Sequence, residues 1–468
     1  MSEKRKIVLS LISHTNIGKT TLARTLLRSE VGVVRDEAHV TDESTEYVML
    51  ETPNEVLVLW DTPGFGNVNQ LLKRIQAEGG AWGWLMHEVV DRVFNRSLYS
   101  SLEATRNVKS QSDVVLYLVN VKEHPMDAGY VAMELKLLES IGKPVIMILN
   151  QVSEAILANA GERKRLEAMW LAHFSNFSCL KSILVLDAFT RSWHQELKLI
   201  TSLLPHVSNE ARASLERISE FYRQKQSAIF DKCATFACEV LYEARIQELD
   251  PSPDKNPKVL FQELVSELQS RIDSYLEVLI EAHGIETEGR ARFKADLQQV
   301  TGQTATKLDE KKSGLLAGAL SSASTGLMAD VFSGGLTFGG GAIIGFLGGF
   351  FGGLTYAKMM NLRKRGHMSW RHETLIDLFQ LLIVYYLVAL HHGRGKGKWN
   401  LDTSLGFISE KTFEVWQPHK SQLKSILDQF DKTSASAKTP FLRDAKDVFQ
   451  STVYSVLKAL YPDLPVIK

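Results

Sequence analysis

Cysteine is scarce in this chain, which has thiols only at Cys179, Cys233 and Cys238 among its 468 residues. Three cysteines are too few for a disulfide scaffold, and their spacing is not that of a zinc site. Their scarcity fits the reducing conditions of the cytosol. We therefore expect a cytoplasmic protein that folds without disulfides.

Net charge is absent as well, because 54 lysines and arginines balance 54 aspartates and glutamates. A neutral chain lacks the broad positive field typical of nucleic-acid binding, so no nucleic-acid partner is expected. Disorder of the whole chain is excluded, since 44% of the residues are hydrophobic and 9% are aromatic. At roughly 150 residues per domain, the length indicates two or three domains.

Short apolar runs rich in Val, Ile and Leu alternate with helical stretches over residues 1–205. Runs without polar alternation are typical of strands that are buried on both faces of a mostly parallel sheet. The strand–helix repetition predicts a doubly wound α/β domain. The expected strands are Ile7–Ile12, Val56–Trp60, Val114–Val119, Val145–Leu149 and Ile183–Leu186.

Residues 66–110 interrupt this alternation and are interpreted as a helical insertion that covers the sheet, with a dedicated partner surface as the alternative. Beyond residue 205 the apolar periodicity is helical, and an all-α region is expected. The predicted division is a helical region at 206–312, a glycine-rich apolar hairpin at 313–357 and a C-terminal helical region at 358–468. The predicted helices are 208–246, 258–312, 371–392 and 405–460.

An octapeptide after the first expected strand, Ser13-His-Thr-Asn-Ile-Gly18-Lys19-Thr20, has the pattern of a Walker A loop. Backbone N–H groups of such a loop, and of the helix that it opens, point at phosphate oxygens. Gly18 permits close backbone approach, Lys19 would reach the β- and γ-phosphates, and Thr20 would bind Mg²⁺ through its hydroxyl. Ser13 stands where the pattern has its first glycine, so the loop geometry is expected to differ there. The first domain is therefore predicted to be a P-loop NTPase domain.

A second motif, Asp61-Thr-Pro-Gly64, follows the expected strand Val56–Trp60. An acid at a strand end near the phosphate loop holds Mg²⁺, usually through water, and the N–H of Gly64 would sense the γ-phosphate. A switch loop also needs a threonine that reaches Mg²⁺ when a triphosphate is bound. In the polar stretch between the two motifs, Thr41 is the preferred choice and Thr45 the alternative.

Three of these matches resemble the Era-like GTPases of the TrmE–Era–EngA group: Asn16-Ile-Gly-Lys-Thr, the position of Thr41, and Asp61-Thr-Pro-Gly. More narrowly, residues 10–27 and 34–41 resemble one bacterial family that joins this GTPase domain to a C-terminal helical domain of unknown function. That resemblance covers essentially the whole chain. It implies a protein that binds a guanine nucleotide together with Mg²⁺.

The resemblance also implies roles for single residues. The implied set is Asn16, Ile17, Gly18, Lys19, Thr20, Thr21 and Gly64 for the nucleotide, Thr20, Thr41 and Asp61 for Mg²⁺, and Lys19 and Thr41 for catalysis. Asn16 matches the residue that coordinates K⁺ in cation-dependent members, although a loop asparagine that makes its own hydrogen bonds is an equal alternative. Phe65 stands in place of the catalytic glutamine and cannot orient the attacking water, so hydrolysis is expected to be slow.

The guanine-reading motif departs from the family pattern, because the expected Asn-Lys-x-Asp reads Asn150-Gln-Val-Ser153. A serine hydroxyl cannot accept two hydrogen bonds from guanine as a carboxylate does. The later Ser-Ala motif reads Asp187-Ala188. The resemblance places Asn150, Gln151, Asp187 and Ala188 around the base and favours GTP over ATP, while the changed residues weaken the recognition of guanine.

The segment 313–357 contains one charged residue, Asp330, and carries a glycine or serine at every fourth position in two series. This spacing lets two helices approach closely and predicts a helical hairpin with an apolar exterior. The uncharged part Leu336–Ala357 is long enough to span a bilayer, and basic residues flank the hairpin at both ends. Either the hairpin enters lipid, with the protein peripheral at the inner face of the membrane, or the surrounding helices bury it. The apolar run at 375–390 is interpreted as a core helix.

Together these features predict a GTP-binding switch protein. The leading hypothesis is a slow Mg²⁺-dependent GTPase whose helical half reads the nucleotide state and changes its contacts with a membrane or a protein partner. One alternative is a nucleotide-sensing interaction protein with negligible hydrolysis. The other is a dynamin-like, membrane-associated GTPase that uses the apolar hairpin.

Overall fold

A computed structural model describes most of the chain. The described residues are 4–14, 17–27, 45–77, 96–153, 156, 159–186, 193–248, 257–285, 290, 293, 297, 360–362, 368–392, 406–431 and 438–461. The predictions made for Asn16, Thr41, Asp187, Ala188 and the hairpin at 313–357 lie outside these residues. The described residues separate into two compact units, one up to Gln226 together with His392, and the other from Ser227 to His391 and from 406 onward.

The first unit is built on a six-stranded sheet, which confirms the expected α/β architecture. The strand order is β2-β3-β1-β4-β5-β6, with β2 antiparallel to β3 and every other pair parallel. The strands are β1 (Arg5–Ser13), β2 (Thr45–Glu51), β3 (Glu55–Asp61), β4 (Val114–Asn120), β5 (Val145–Asn150) and β6 (Leu180–Val185). The carboxyl ends of parallel strands meet at one edge of a sheet, where ligands bind in this class of fold.

Helices accompany the sheet in the described part of the first unit, and the second to the fifth of them form one apolar core with its strands. They are α1 (Lys19–Leu27), α2 (Val68–Ala77), α3 (Arg96–Gln111), α4 (Gly129–Ile141), α5 (Ala160–Phe174) and α6 (Trp193–Leu203). Helices α2 and α3 belong to the stretch that was interpreted as an insertion. Residues such as Leu71 and Leu102 are buried in the same core as Tyr117 of β4, so the described part of that stretch covers the sheet as expected.

Strand β2 was not among the expected strands. None of its residues is buried, and the register shifts between Val48 and Leu50. An exposed edge strand does not need a continuous apolar run, so its sequence lacks the pattern that identified the other strands. Thr45, the alternative switch threonine, begins this strand and pairs with Asp61 in the register of β2 and β3.

The second unit is mostly helical. Helix α7 (Asn209–Ile246) starts in the first unit and is followed by α8 (Pro257–Ala282), α9 (His372–His391), α10 (Gly406–Phe430) and α11 (Lys438–Leu460). Two short antiparallel strands, β7 (Met360–Leu362) and β8 (Met368–Trp370), correct the expectation of an all-α region. With three residues each, they are too short to produce a strand pattern in the sequence.

Two predicted helices are shorter than expected. Helix α8 does not continue to residue 312, because Gly284 adopts φ +61° and ends it. The N–H of Gly284 donates to Glu281 O, and that of Ile285 donates to Ile280 O, which is the Schellman pattern of a helix end. The helix predicted over 405–460 is two helices, α10 and α11, that pack against each other. The polar sequence that begins at Asp431 lacks the apolar period that a single helix would need.

Among the described residues, one helix is long and apolar enough to cross a membrane by length and composition alone. This is α9, and its apolar stretch is completely buried inside the second unit. Complete burial is typical of the core helix of a folded domain, which agrees with the interpretation of residues 375–390 as a core helix.

Candidate functional site

An ammonium, a hydroxyl and a carboxylate group meet near the carboxyl ends of β1 and β3. Lys19 is the first residue of α1, and its Nζ lies 2.7 Å from Oδ1 of Asp61, the last residue of β3. Thr20 donates its hydroxyl to Oδ2 of the same carboxylate at 3.0 Å. The side chains of Lys19 and Asp61 are only 8% and 2% exposed. The predicted phosphate-binding lysine and two predicted Mg²⁺ ligands are therefore held together.

Gly18 begins the phosphate loop's turn into α1. Its φ is +91°, and its carbonyl accepts the N–H of Leu22 at 3.0 Å, the first turn of the helix. A Cβ built at Gly18 would lie 3.1 Å from Nδ2 of Asn150. That amide nitrogen donates to the carbonyl of Ile17 at 3.0 Å, so the end of β5 is tied to the loop. Both the backbone conformation and the close approach require glycine here.

Ser13 shows why the first glycine of the Walker A pattern is dispensable in this chain. It is the last residue of β1, pairs with Leu118 of β4 and is buried. The one non-glycine residue with positive φ in the described part of the chain is Gln151, so Ser13 has an ordinary strand conformation. Its hydroxyl donates to the carbonyl of His14 at 2.6 Å. At Ser13 the chain therefore continues as a regular strand and does not adopt a backbone conformation that needs glycine.

The Asp61–Gly64 motif is anchored to β1. Thr62 donates its hydroxyl to Leu11 O at 2.7 Å, and the N–H of Phe65 donates to Ser13 O at 2.9 Å. The Phe65 side chain is fully buried in the core with residues of α2 and α3. The residue at the position of the catalytic glutamine therefore points into the protein, and its side chain has no group that could orient a water molecule.

The end of β5 carries the residues expected around the base. Asn150 is buried, and its neighbour Gln151 adopts φ +60° and accepts a hydrogen bond from Asn120 Nδ2 at 3.0 Å. The Gln151 amide also lies 3.9 Å from the position of a Cβ on Gly18. Ser153 is exposed. The structure therefore places Asn150 and Gln151 beside the phosphate loop, while Asp187 and Ala188 lie outside the described residues.

Sequence reasoning missed a buried acid beneath the loop. Glu134 of α4 is 1% exposed, and its Oε1 lies 2.7 Å from Nδ1 of His14 in the phosphate loop. Its Oε2 accepts the hydroxyl of Tyr117 at 2.6 Å. Burial raises the pKa of Glu134, and the hydrogen bond to Glu134 raises the pKa of His14. The available signal was an acid in the apolar stripe of α4, between Val131 and Leu135.

The donor set fits Mg²⁺ bound together with a polyphosphate. Thr20 offers a hydroxyl and Asp61 a carboxylate, both hard oxygen ligands, and Lys19 supplies the positive charge that phosphate oxygens need. No group of three or more His, Cys, Asp or Glu side chains that could hold a metal occurs among the described residues.

Comparisons with known proteins point to the same chemistry. Residues 8–151 match the family described as 50S ribosome-binding GTPase. GTPase Era of Staphylococcus haemolyticus (strain JCSC1435) is 22% identical over 152 residues, which are 32% of this chain and 42% of that protein. The chain thus spans less than half the length of this curated relative.

Solved structures of Era also align with the chain. A variant of Aquifex aeolicus Era bound to GDP and AlF4⁻ has 16% sequence identity and a TM-score of 0.32, over 44% of this chain and 58% of that one. A structure of Era with MgGDPNP and nucleotides 1506–1542 of 16S ribosomal RNA aligns with the same identity, TM-score and coverage. The sheet order and the phosphate loop agree with the family model that matches residues 8–151: the first unit contains a P-loop GTPase-type α/β domain similar to that of Era, and a mostly helical region follows it.

Proposed function

We propose that this chain is a GTP-binding switch protein that hydrolyses GTP slowly and whose helical half responds to the bound nucleotide. The observation that carries the proposal is the cluster of buried Lys19 and Asp61 with the half-buried Thr20 at the start of α1. A buried ammonium and carboxylate are costly unless they are paired, and here each is paired with the other. Such a cluster is suited to exchanging its internal contacts for those of a phosphate and a metal.

Each side chain of the cluster has a distinct task in nucleotide binding. Bound Mg²⁺ would neutralise charge on the β- and γ-phosphates. Lys19 turns from Asp61 towards the phosphates, and Thr20 and Asp61 turn their oxygens towards the metal. The N–H groups at the start of α1 add the positive end of the helix dipole. Thr41 is proposed to close over the metal in the triphosphate state and to leave it after hydrolysis.

Slow hydrolysis follows from the buried Phe65. GTPases with a glutamine after the Asp-x-x-Gly motif use its amide to orient the attacking water, and this chain lacks that group. Asn16 remains a candidate K⁺ ligand that would supply compensating positive charge. If K⁺ acts in this way, turnover in K⁺ buffer will exceed turnover in Na⁺ buffer at equal ionic strength. Equal rates in both buffers would leave Asn16 a structural loop residue.

The family resemblance favours guanine as the base, while the residues that read it are altered. Asn150 and Gln151 lie beside the phosphate loop, but the exposed Ser153 supplies no carboxylate for guanine. We therefore propose that binding energy comes mainly from the phosphates and that GTP is preferred over ATP by less than in GTPases with an intact motif. Comparison of the two dissociation constants under identical conditions measures this preference.

Calorimetric titration of the full chain with Mg–GTP and Mg–ATP tests the proposal. Lys19→Ala removes the ammonium that contacts the phosphates and should abolish detectable triphosphate binding. Lys136→Ala is the matched control, because Lys136 is an exposed lysine on α4 of the same unit and should leave binding unchanged. A folded wild-type protein that binds neither nucleotide, or a Lys19→Ala variant that binds like wild type, would refute the switch.

The readout of the switch is proposed to take place at a membrane surface, and the protein is proposed to be cytoplasmic and peripheral. The support is the apolar hairpin at 313–357, which has basic residues at both ends and contains the uncharged segment Leu336–Ala357. The other long apolar segment, α9, is buried in the second unit and is not available for lipid. Co-sedimentation with anionic liposomes, with and without GTP, is the test. Binding that increases turnover would favour the dynamin-like alternative, and no binding would favour a protein partner. That the chain has no nucleic-acid partner stays a prediction.

A further inference from the structure

A hydrogen-bonded chain of side chains joins the phosphate loop to the interior of the first unit. His14, the second residue of the loop, contacts Glu134 of α4 through Nδ1 at 2.7 Å. Tyr117 of β4 donates its hydroxyl to the other carboxylate oxygen at 2.6 Å. The ring of Tyr130 lies against the His14 ring, with 4.5 Å between the centroids. The loop is therefore contacted from one side by two residues of α4, and β4 supports one of them through Tyr117.

The position of Glu134 is not explained by packing. Its neighbours on the inward face of α4, Val131, Leu135 and Leu138, are fully buried apolar residues. A carboxylate at such a place is strongly unfavourable unless hydrogen bonds compensate for the water it has lost. Both oxygens of Glu134 are occupied, one by His14 and one by Tyr117. One of the two hydrogen bonds of Glu134 therefore depends on the position of His14.

The backbone of His14 is fixed independently of its ring. Its carbonyl accepts the hydroxyl of Ser13, and His14 pairs with Phe65 in a short parallel bridge next to the end of β3. The side chain is held by α4 and the main chain by the Asp61–Gly64 region. The first turn of the phosphate loop is therefore clamped on two sides, immediately before the N–H groups that would face phosphate oxygens.

We propose that Glu134 and His14 are positioning residues for the phosphate loop, and that their contact fixes the loop in the shape that receives a polyphosphate. The inference rests on the proposed nucleotide binding. Fixing His14 before a ligand binds reduces the conformational freedom that is lost on binding, so the contact strengthens binding without touching the nucleotide. In this chain the regular strand end at Ser13 brings His14 directly above Glu134.

The test compares Mg–GTP affinity, by calorimetry, among full-length variants. His14→Ala should bind Mg–GTP about tenfold more weakly, the effect of losing one hydrogen bond to a charged group. His14→Asn should stay close to wild type, because the Asn amide nitrogen can occupy the position of Nδ1. Glu139→Ala is the matched control, since Glu139 is an acid of the same helix that bonds to Ser178 instead of the loop.

A double-mutant cycle distinguishes positioning from general stability. If the two residues act through one contact, His14→Ala in the Glu134→Ala background should weaken binding no further, and His14→Asn should lose its benefit there. If Glu134→Ala does not fold, the comparison of His14→Ala with His14→Asn still tests the positioning role. Substitutions of His14 should be tolerated by the fold, because its side chain is partly exposed. Equal affinity of wild type and His14→Ala, or fully additive losses, would overturn the inference alone. A wild type that binds no nucleotide would overturn the proposed function and this inference together.

Discussion

Gly18 allows a quantitative test of how the phosphate loop is packed. Its φ of +91° is unfavourable for any residue with a side chain, and a Cβ built there lies 3.1 Å from Asn150 Nδ2. That nitrogen already donates to Ile17 O at 3.0 Å, so the amide cannot move aside without losing its hydrogen bond. Gly18→Ala therefore combines backbone strain with the displacement of a buried amide.

The size of the effect can be worked out from these two contributions. A residue with a side chain in this region of φ costs about 1–3 kcal/mol. The lost hydrogen bond between Asn150 and Ile17 adds about 1 kcal/mol. We therefore expect Gly18→Ala to lower the free energy of unfolding of the first unit by roughly 2–4 kcal/mol. Nucleotide affinity should fall as well, because the strained turn is the one that opens α1.

Two other glycines separate the contributions. Gly142 caps α4 with φ +81°, but a Cβ there would meet nothing within 4 Å, so Gly142→Ala should show strain alone, about 1–2 kcal/mol. Gly129, in the first turn of α4, has neither a positive φ nor a near neighbour. Gly129→Ala should be neutral or stabilise by up to about 1 kcal/mol, because alanine restricts the unfolded chain and favours a helix.

Denaturant unfolding of the three full-length variants, followed by circular dichroism, measures these differences. The expected order of destabilisation is Gly18→Ala, then Gly142→Ala, then Gly129→Ala. A Gly18→Ala variant that loses no more stability than Gly142→Ala would refute the close packing of the loop against Asn150. Titration with Mg–GTP should show reduced affinity for Gly18→Ala and unchanged affinity for the other two.

Two further predictions concern buried residues. Phe65→Gln introduces the amide found in other GTPases, but the side chain at this position is fully buried. We therefore expect no gain in GTP turnover and a decrease of about 1–3 kcal/mol in the free energy of unfolding. Faster GTP turnover by the variant would contradict the buried placement. Burial lowers the pKa of His391 from 6.5 to about 4. Between pH 4 and pH 6.5, His391 is therefore protonated in the unfolded chain and neutral in the folded chain. The contribution of His391 to the free energy of unfolding is complete above pH 6.5, and about 3 kcal/mol of it is lost as the pH falls towards 4. Thermal unfolding across this range should be less pH-dependent in His391→Gln than in wild type, and an equal pH dependence of the two proteins would contradict the effect of burial on His391.

The parallel strands and the motifs of the first unit were predictable because each has a strong local cause. An uninterrupted apolar run such as Val145–Leu149 can be satisfied only by burial on both faces, and the structure confirms it as part of β5. The pattern around Lys19 and the acid at Asp61 likewise imply that they meet, since both follow parallel strands whose ends share one edge. The end of α8 was predicted wrongly, at residue 312, although Gly284 is a typical helix-ending residue.

Other features depend on partners that are distant in the chain. Strand β2 exists because β3 offers it an edge, and its own exposed residues carry little strand signal. Glu134 looks like an error in an apolar stripe until α4 is placed under the loop, where His14 and Tyr117 satisfy it from 120 and 17 residues away.

The amino-acid sequence by itself determined the class of the first unit and predicted which residues would bind phosphate, because the first follows from local periodicity and the second from a motif of contiguous residues. Only the tertiary structure decided that Phe65 is buried, that Ser13 has an ordinary strand conformation and that Glu134 contacts His14 of the loop. The physical reason is that burial and hydrogen-bond satisfaction are properties of the surroundings of a side chain, and those surroundings come from strands and helices brought together by folding.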